Sequence, residues 1–249
     1  MNLPGKYTFK IRSYETDEFN HLKISSVFNF MQVAAGLNAE ELGFGYTQLN
    51  PRGIFWILSR VILEWHGNVK FDEDLIVETW PKGIERLFAI RDFRFYSQDG
   101  GNIGKATTAW LMMDAKSGRP VNPANERFDL PLFDLQPAID ELPGKIAEPA
   151  EMTLLTKRST VYSDIDVNLH VNNAKYLEYI FDALQTKSIF PIRNCRIQVN
   201  YLKELKQGET ISIMGSHDNN PGNEIVVSAI NQANQMIFQS RINFDLSPI

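Results

Sequence analysis

Apolar residues recur at helical spacing in two places along the chain, and strand-like runs follow each. Val27, Phe30, Met31 and Ala34 fall at i, i+3, i+4 and i+7, one face of a helix. Ser25 or Ser26 is the expected cap, and Gly43 the expected stop. Leu177, Ile180, Phe181 and Leu184 repeat the spacing in the second half, with Asn172 as the expected cap. A short strand and a polar loop precede each helix. After the first helix, strands are expected at Ile54–Trp65, Asp74–Trp80, Arg86–Tyr96 and Ile103–Asp114. After the second, they are expected at Cys195–Tyr201, Glu209–Gly215, Glu224–Asn231 and Gln235–Leu246.

The two halves echo each other. RVILEWHGNVKFDEDLIV, starting at Arg60, aligns with RIQVNYLKELKQGETISI, starting at Arg196. This is a duplicated unit with a period of about 140 residues. One long helix wrapped by an antiparallel sheet is the hotdog arrangement. The expected class is therefore α+β, a tandem double hotdog. Between the halves, six of the twelve prolines lie from Pro120 to Pro149. Proline fixes its own φ and donates no hydrogen bond, so this stretch reads as extended linker. Its apolar Leu132, Phe133, Leu135 and Ile139 suggest a strap laid on the surface. The expected domains are 1–130, a linker at 131–152, and 153–249.

Composition narrows the function classes. A net charge of -5 disfavours broad nucleic-acid binding. The single cysteine, Cys195, allows no intramolecular disulfide and fits a reducing compartment. No run approaches the roughly 20 apolar residues of a membrane span, and the N-terminus lacks a signal-like stretch. A soluble cytoplasmic protein is expected.

The densest chemistry is SDIDVNLHVNN, Ser163–Asn173, at the start of the second helix. Asp164, Asp166 and Asn168 imitate the first calcium ligands of an EF-hand. However, Leu169 replaces the required Gly, and Lys175 the bidentate Glu. Zinc lacks a cysteine or second histidine at ligand spacing, so no metal is expected. There is no G-x-S-x-G elbow, complete P-loop, or G-x-G-x-x-G after a strand. Capping explains Asn172, and Asn173 or Asp164 at most. It leaves Asp166, Asn168 and His170, which read as alternating along an extended polar strip.

Here the chain resembles the acyl–acyl carrier protein thioesterases, the plant and bacterial enzymes that end fatty-acid synthesis. Their D-x-N-x-H-V-N-N-x-x-Y run is filled by Asp166, Asn168, His170, Val171, Asn172, Asn173 and Tyr176. Their second signature, Y-x-x-E-C, appears as Tyr201…Glu204-Leu205. Trp56…Arg60 and Val77–Trp80 also look like the family, and the resemblance spans roughly residues 7–246. It implies hydrolysis of fatty acyl thioesters, with Asp166, Asn168, His170 and Glu204 as the catalytic set and no cofactor. Leu205 stands where the family often has Cys, so a positioned water, not a thiol, is the implied nucleophile. In the first half the counterpart loop reads Asp17-Glu18-Phe19-Asn20-His21, with different spacing, and Asn68 stands opposite Glu204. One active site, in the second hotdog, is implied; the first would shape the acyl-chain tunnel.

The implied partner is acyl carrier protein, bearing the acyl chain on 4'-phosphopantetheine. Phe30, Met31, Phe55, Trp56, Asn172 and Asn173 are the candidate substrate-binding residues. Lys157–Arg158, Arg193, Lys203 and Lys206 are the candidate basic patch for the acidic carrier. A monomer or homodimer is expected. The alternatives are an acyl-CoA thioesterase on the same fold, a hotdog hydratase, and a non-catalytic acyl-binding protein.

Overall fold

The structure, a computed structural model, describes residues 4–126, 135–184, 194–216 and 224–244. It has two compact units, one joining Met1–Leu63 to Gly67–Pro143 and one joining Glu64–His66 to Gly144–Ile249.

The first unit contains β1 (Gly5–Lys10), α1 (Ile24–Glu41), a single helical turn α2 (Tyr46–Leu49), β2 (Ile54–Trp65, its last two residues counting with the second unit), β3 (Asp74–Glu85), β4 (Phe88–Ser97), β5 (Asn102–Asp114) and β6 (Arg119–Val121). Its sheet runs β1-β3-β4-β5-β2, with β6 on β5. The β1–β3, β3–β4, β4–β5 and β5–β6 pairs are antiparallel. The strands read from the pattern are present. However, β3 continues past Trp80 to Glu85. Pro81 sits at a register shift before Gly83, one of the few places in a sheet that tolerates a missing N–H.

Val27, Phe30, Met31 and Ala34 are all buried on α1, as the spacing predicts. The helix stops where Gly43 adopts φ 82°, and the Phe44 N–H reaches back to the Ala39 carbonyl at 3.0 Å. The expected serine cap is not formed. α1 begins one residue before Ser25, and Lys23 occupies the cap position with no side-chain bond. Ser26 lies in the first turn, and its hydroxyl donates to the Glu15 carbonyl at 3.0 Å. A buried guanidinium joins α1 to the sheet. Arg91 Nη1 donates to Asn38 Oδ1 on α1 at 2.7 Å and to Thr79 Oγ1 on β3 at 3.1 Å.

The second unit contains β7 (Met152–Ser159), α3 (Asn173–Leu184), β8 (Cys195–Tyr201), β9 (Thr210–Ser216), β10 (Glu224–Asn231) and β11 (Met236–Phe244). The order is β8-β11-β10-β9-β7, each pair antiparallel. α3 buries Leu177, Ile180 and Leu184 together with Ala174, Tyr176 and Tyr179. Both units thus repeat one plan, a strand, a loop, a helix and an antiparallel sheet, which is the tandem double hotdog read from the sequence.

Residues 135–149 form no helix or strand, yet they are fastened. Arg94 Nη2 donates to the Gln136 carbonyl at 2.8 Å, and Lys82 Nζ to the Ile139 carbonyl at 2.6 Å. Buried Asp92 accepts from the Ala138 N–H at 2.7 Å and the Thr107 hydroxyl at 2.6 Å. Arg60 holds the Pro143 carbonyl at 3.1 Å. In the second unit, Gln198 and Asn200 both donate to the Gly144 carbonyl, at 2.8 and 3.0 Å. Leu132 and Phe133 lie outside the described residues.

Asp92 is fully buried, and Lys82 Nζ stands 3.5 Å from its Oδ2. Asp92→Ala would leave that ammonium and the Ala138 N–H without their carboxylate. We expect a loss of about 3 kcal/mol in urea unfolding, with faster proteolysis at 135–149. An unchanged midpoint would refute this role for Asp92.

Candidate active site

The polar loop before α3 is a tight turn, not the extended strip suggested by its alternating residues. Asp166 N–H donates to the His170 carbonyl at 2.9 Å, and Leu169 N–H to the Asp166 carbonyl at 3.0 Å. Asp166 Oδ1 accepts the Asn168 N–H at 2.8 Å, the short-range bond that suits Asp to turns. Leu169 takes the left-handed conformation, φ 64°, which lets the chain reverse. The physical cause is this local side-chain-to-backbone bonding, which competes with strand pairing. Ile165 and Val171 pair across the turn as an isolated bridge.

Asp164, the residue whose place in the sequence suggested only a false calcium loop, braces this turn from below. It is 2% exposed. Its Oδ2 accepts the Val161 N–H at 2.8 Å, and its carbonyl accepts the Asn172 N–H at 2.9 Å. A signal for this role exists in the repeat: Glu15 Oε2 accepts the Arg12 N–H at 2.7 Å at the same point of the first unit. Asn172 then starts α3, its Oδ1 accepting the Ala174 N–H at 2.8 Å. That is the cap expected from the sequence.

Glu204 reaches this loop from beyond β8. The strand's pairing breaks after Tyr201, where the N–H groups of Leu202 and Lys203 both donate to the Ile237 carbonyl, at 2.9 and 3.0 Å. The chain turns, Leu205 becomes fully buried, and its carbonyl accepts the Val171 N–H at 2.9 Å. That bond aligns residue 204 with residue 170. Glu204 Oε1 lies 3.3 Å from His170 Nε2, with the two side chains 55% and 30% exposed. Water therefore reaches both groups. An ion pair this open contributes at most about 1 kcal/mol. The backbone holds the two groups together more than their mutual attraction does.

The four catalytic candidates are thus adjacent in one unit. The candidate substrate residues divide. Asn172 and Asn173 open α3 beside the loop. Phe30, Met31, Phe55 and Trp56 belong to the first unit. Phe30 stacks on Phe9 with centroids 4.7 Å apart, and Trp56 donates its indole N–H to the Phe44 carbonyl at 3.0 Å. Met31 is buried, and Phe55 is exposed. In the basic patch, Arg158 is engaged. It bonds Asp182 at 2.9 Å and lies 4.2 Å over the Tyr179 ring. Lys203 donates to Gln235, and Arg193 lies outside the described residues.

The first unit repeats the loop bond for bond. Asp17 N–H meets the His21 carbonyl at 2.8 Å, Asn20 N–H the Asp17 carbonyl at 3.1 Å, and Leu22 N–H the Val69 carbonyl at 2.8 Å. Asp17 Oδ1 accepts the Phe19 N–H at 2.9 Å, and Asn20 has φ 62°. The Asp-to-His spacing is therefore the same in both loops, which corrects the reading of a different spacing. What differs is that Phe19 stands in place of Asn168, and Asn68 in place of Glu204. His21 is also buried.

Cys195 is buried at the start of β8, and burial pushes its thiol up to about 12. The shift favours the protonated thiol across neutral pH, and only the thiolate is nucleophilic. Among the described residues, no group of three or more His, Cys, Asp or Glu is placed to hold a metal.

Fold and loop together define a duplicated hotdog protein with a histidine–glutamate pair in its second copy. The acyl-ACP thioesterase N-terminal domain matches residues 5–129, and the acyl-ACP thioesterase C-terminal domain matches residues 147–246. The chain belongs to the acyl-ACP thioesterase family. It is 25% identical over 237 residues to a chloroplastic palmitoyl-acyl carrier protein thioesterase of Cuphea hookeriana, covering 87% of this chain and 55% of that one. It is 25% identical to oleoyl-acyl carrier protein thioesterase 2 of Arabidopsis thaliana, covering 89% and 64%. The chain thus spans less than two thirds of the length of these plant relatives. The crystal structure of an acyl-ACP thioesterase from Bacteroides thetaiotaomicron superposes with TM-score 0.84 at 28% identity, covering 97% of each chain. A 12:0-ACP thioesterase from Umbellularia californica shares the fold, with TM-score 0.81 at 21% identity, covering 98% of each chain. No described helix is long and apolar enough to cross a membrane.

The raised thiol yields a direct test. Iodoacetamide at neutral pH should leave Cys195 unmodified in the folded protein and label it promptly in denaturant, read by mass spectrometry. Rapid labelling of the folded protein would contradict the buried, protonated thiol.

Proposed function

We propose that the chain hydrolyses the thioester of fatty acyl-acyl carrier protein, releasing free fatty acid and the carrier's thiol. One observation carries this reading: His170 Nε2 lies 3.3 Å from Glu204 Oε1, and the turn before His170 carries Asn168, whose backbone N–H bonds Asp166. Family membership supplies the substrate class.

Thioester hydrolysis requires a water, a base and donors for the oxyanion. Water attacks the acyl carbon while the His170–Glu204 pair accepts its proton. Imidazole titrates near neutral pH, which suits this work. The carbonyl π electrons move to oxygen, giving a tetrahedral oxyanion. The side-chain amide of Asn168 donates to the water or to that oxygen. Asp166 serves by holding the Asn168 backbone in its turn. The oxyanion then collapses, the C–S bond breaks, and the pair returns the proton to the departing sulfur. No metal or cofactor enters the sequence. A thiol nucleophile is disfavoured by the buried, protonated Cys195.

The carrier delivers its acyl chain on the 4'-phosphopantetheine arm. Phe30, Met31, Phe55 and Trp56 of the first unit are proposed to contact that chain, and Asn172 and Asn173 the thioester end. A cytoplasmic location goes with this reading, since the chain depends on no disulfide.

His170→Ala and Glu204→Ala should each lower kcat/KM on an acyl-carrier thioester by roughly 10²–10⁴-fold, the usual contribution of a general acid–base group. Cys195→Ser should stay near wild type. Near-full activity in either of the first two would remove the mechanism. Comparing kcat/KM for the same acyl chain on the carrier and on CoA, over a series of chain lengths, decides the substrate. A preference for CoA would overturn the carrier assignment. Tight fatty-acid binding without turnover would make the protein a lipid carrier instead.

A further inference from the structure

Glu204 lies beyond the end of its strand, on an exposed turn. No ladder bond reaches it directly, and its attraction to His170 is weak. Two ties frame the pair instead. On one side the Val171 N–H donates to the Leu205 carbonyl at 2.9 Å. On the other the Tyr201 hydroxyl donates to the Asn173 carbonyl at 3.0 Å. His170 immediately precedes the 171–173 segment, and Glu204 lies between Tyr201 and Leu205. The Tyr201 ring is itself set by Tyr176 of α3, edge to face with centroids 5.5 Å apart. Tyr176 in turn packs edge to face on Phe238 at 5.4 Å.

The duplicated unit separates the two ties. Its backbone tie survives, Leu22 N–H to the Val69 carbonyl at 2.8 Å. In the first copy of the sequence repeat, Trp65, buried at 2% exposure, stands at the position of Tyr201, and Val27 at the position of Tyr176. Trp65 carries no phenol hydroxyl. So the unit that holds Asn68 instead of Glu204 also lacks both tyrosines, while keeping the loop and its turn. The phenol hydroxyl thus occurs in the copy that carries the acid.

We propose that Tyr201 is a positioning residue for the reaction: its hydroxyl, bonded to the Asn173 carbonyl, holds Glu204 within reach of His170. This rests on the hydrolytic reading above, in which Glu204 and His170 act as a pair. Without that hydroxyl bond, the 202–204 turn keeps its bonds to the Ile237 carbonyl on β11, but only the Leu205 carbonyl still joins it to the loop that carries His170. A displacement of about 1 Å at a reacting group costs up to roughly 10²-fold.

The experiment uses Tyr201→Phe, Glu204→Ala and the double variant, with acyl-carrier thioester as substrate. Tyr201→Phe should lower kcat roughly 10- to 100-fold with KM within about twofold and the melting temperature near wild type. In the Glu204→Ala background the same change should cost nothing more, because there is no carboxylate left to position. Crystal structures of wild type and Tyr201→Phe supply a readout independent of turnover, with the His170–Glu204 separation longer in the variant. Full activity in Tyr201→Phe, a loss that adds to that of Glu204→Ala, or an unchanged separation would overturn the proposal. A wild type that hydrolyses no acyl-carrier thioester defeats the functional reading alone, and the separation still decides the tie.

Discussion

The hydrogen bond from the Val171 N–H to the Leu205 carbonyl is the constraint on which the meeting of His170 and Glu204 depends. It joins the turn before α3 to the turn after β8, segments far apart in sequence. One backbone bond is worth only about 1 kcal/mol net. Its effect is geometric: it sets residue 170 beside residue 204, and leaves both side chains facing water. Everything around it works to keep that register. Asp166 closes the turn through the Asn168 N–H, Asp164 ties both ends of the loop, and Leu205 is anchored by complete burial.

The same bond exists in the first unit, between Leu22 and Val69, and there it supports no acid–base pair. The two loops match in turn, in left-handed residue and in the placement of Asp and His. They diverge at single side chains, Phe19 for Asn168 and Asn68 for Glu204. Both copies therefore share the scaffold, and one carries the Asn168, His170 and Glu204 set proposed to act. That is the expected result when backbone geometry is demanded by folding and side-chain chemistry by function. His21 illustrates the divergence: the same residue type at the same place is buried in the first unit, whereas His170 is partly open.

The strap at 135–149 has no ladder to satisfy its carbonyls. Side chains from the strands do so instead, Arg94, Lys82 and Arg60 in the first unit, Gln198 and Asn200 in the second. Buried Asp92 belongs to this system through the Ala138 N–H and Lys82. Polar strand residues that interrupt an otherwise apolar face are here the fastening points of irregular chain, because a buried backbone group must find a partner.

Much of this was legible in the sequence. Periodicity gave both helices, because a face buried against a sheet must be apolar at 3.6-residue intervals. The repeat gave the duplication, and the aligned echo after Arg60 and Arg196 already placed Asn68 opposite Glu204. Asn172 as a cap and Leu205 in place of a cysteine were also readable, since each is a local matter of residue type. Other features came only from the tertiary structure. The alternation of Asp166, Asn168 and His170 suggested a strip, but side-chain bonds to the backbone folded it into a turn. Ser25 and Ser26 looked like caps, but the start of α1 was decided by packing that moved them into its first turn. The side to which Glu204 points depends on a break in β8 pairing and on the burial of Leu205. Neither has a periodic signature. Local chemistry is written along the chain; the meeting of two distant turns is decided only when the sheet closes around the helix.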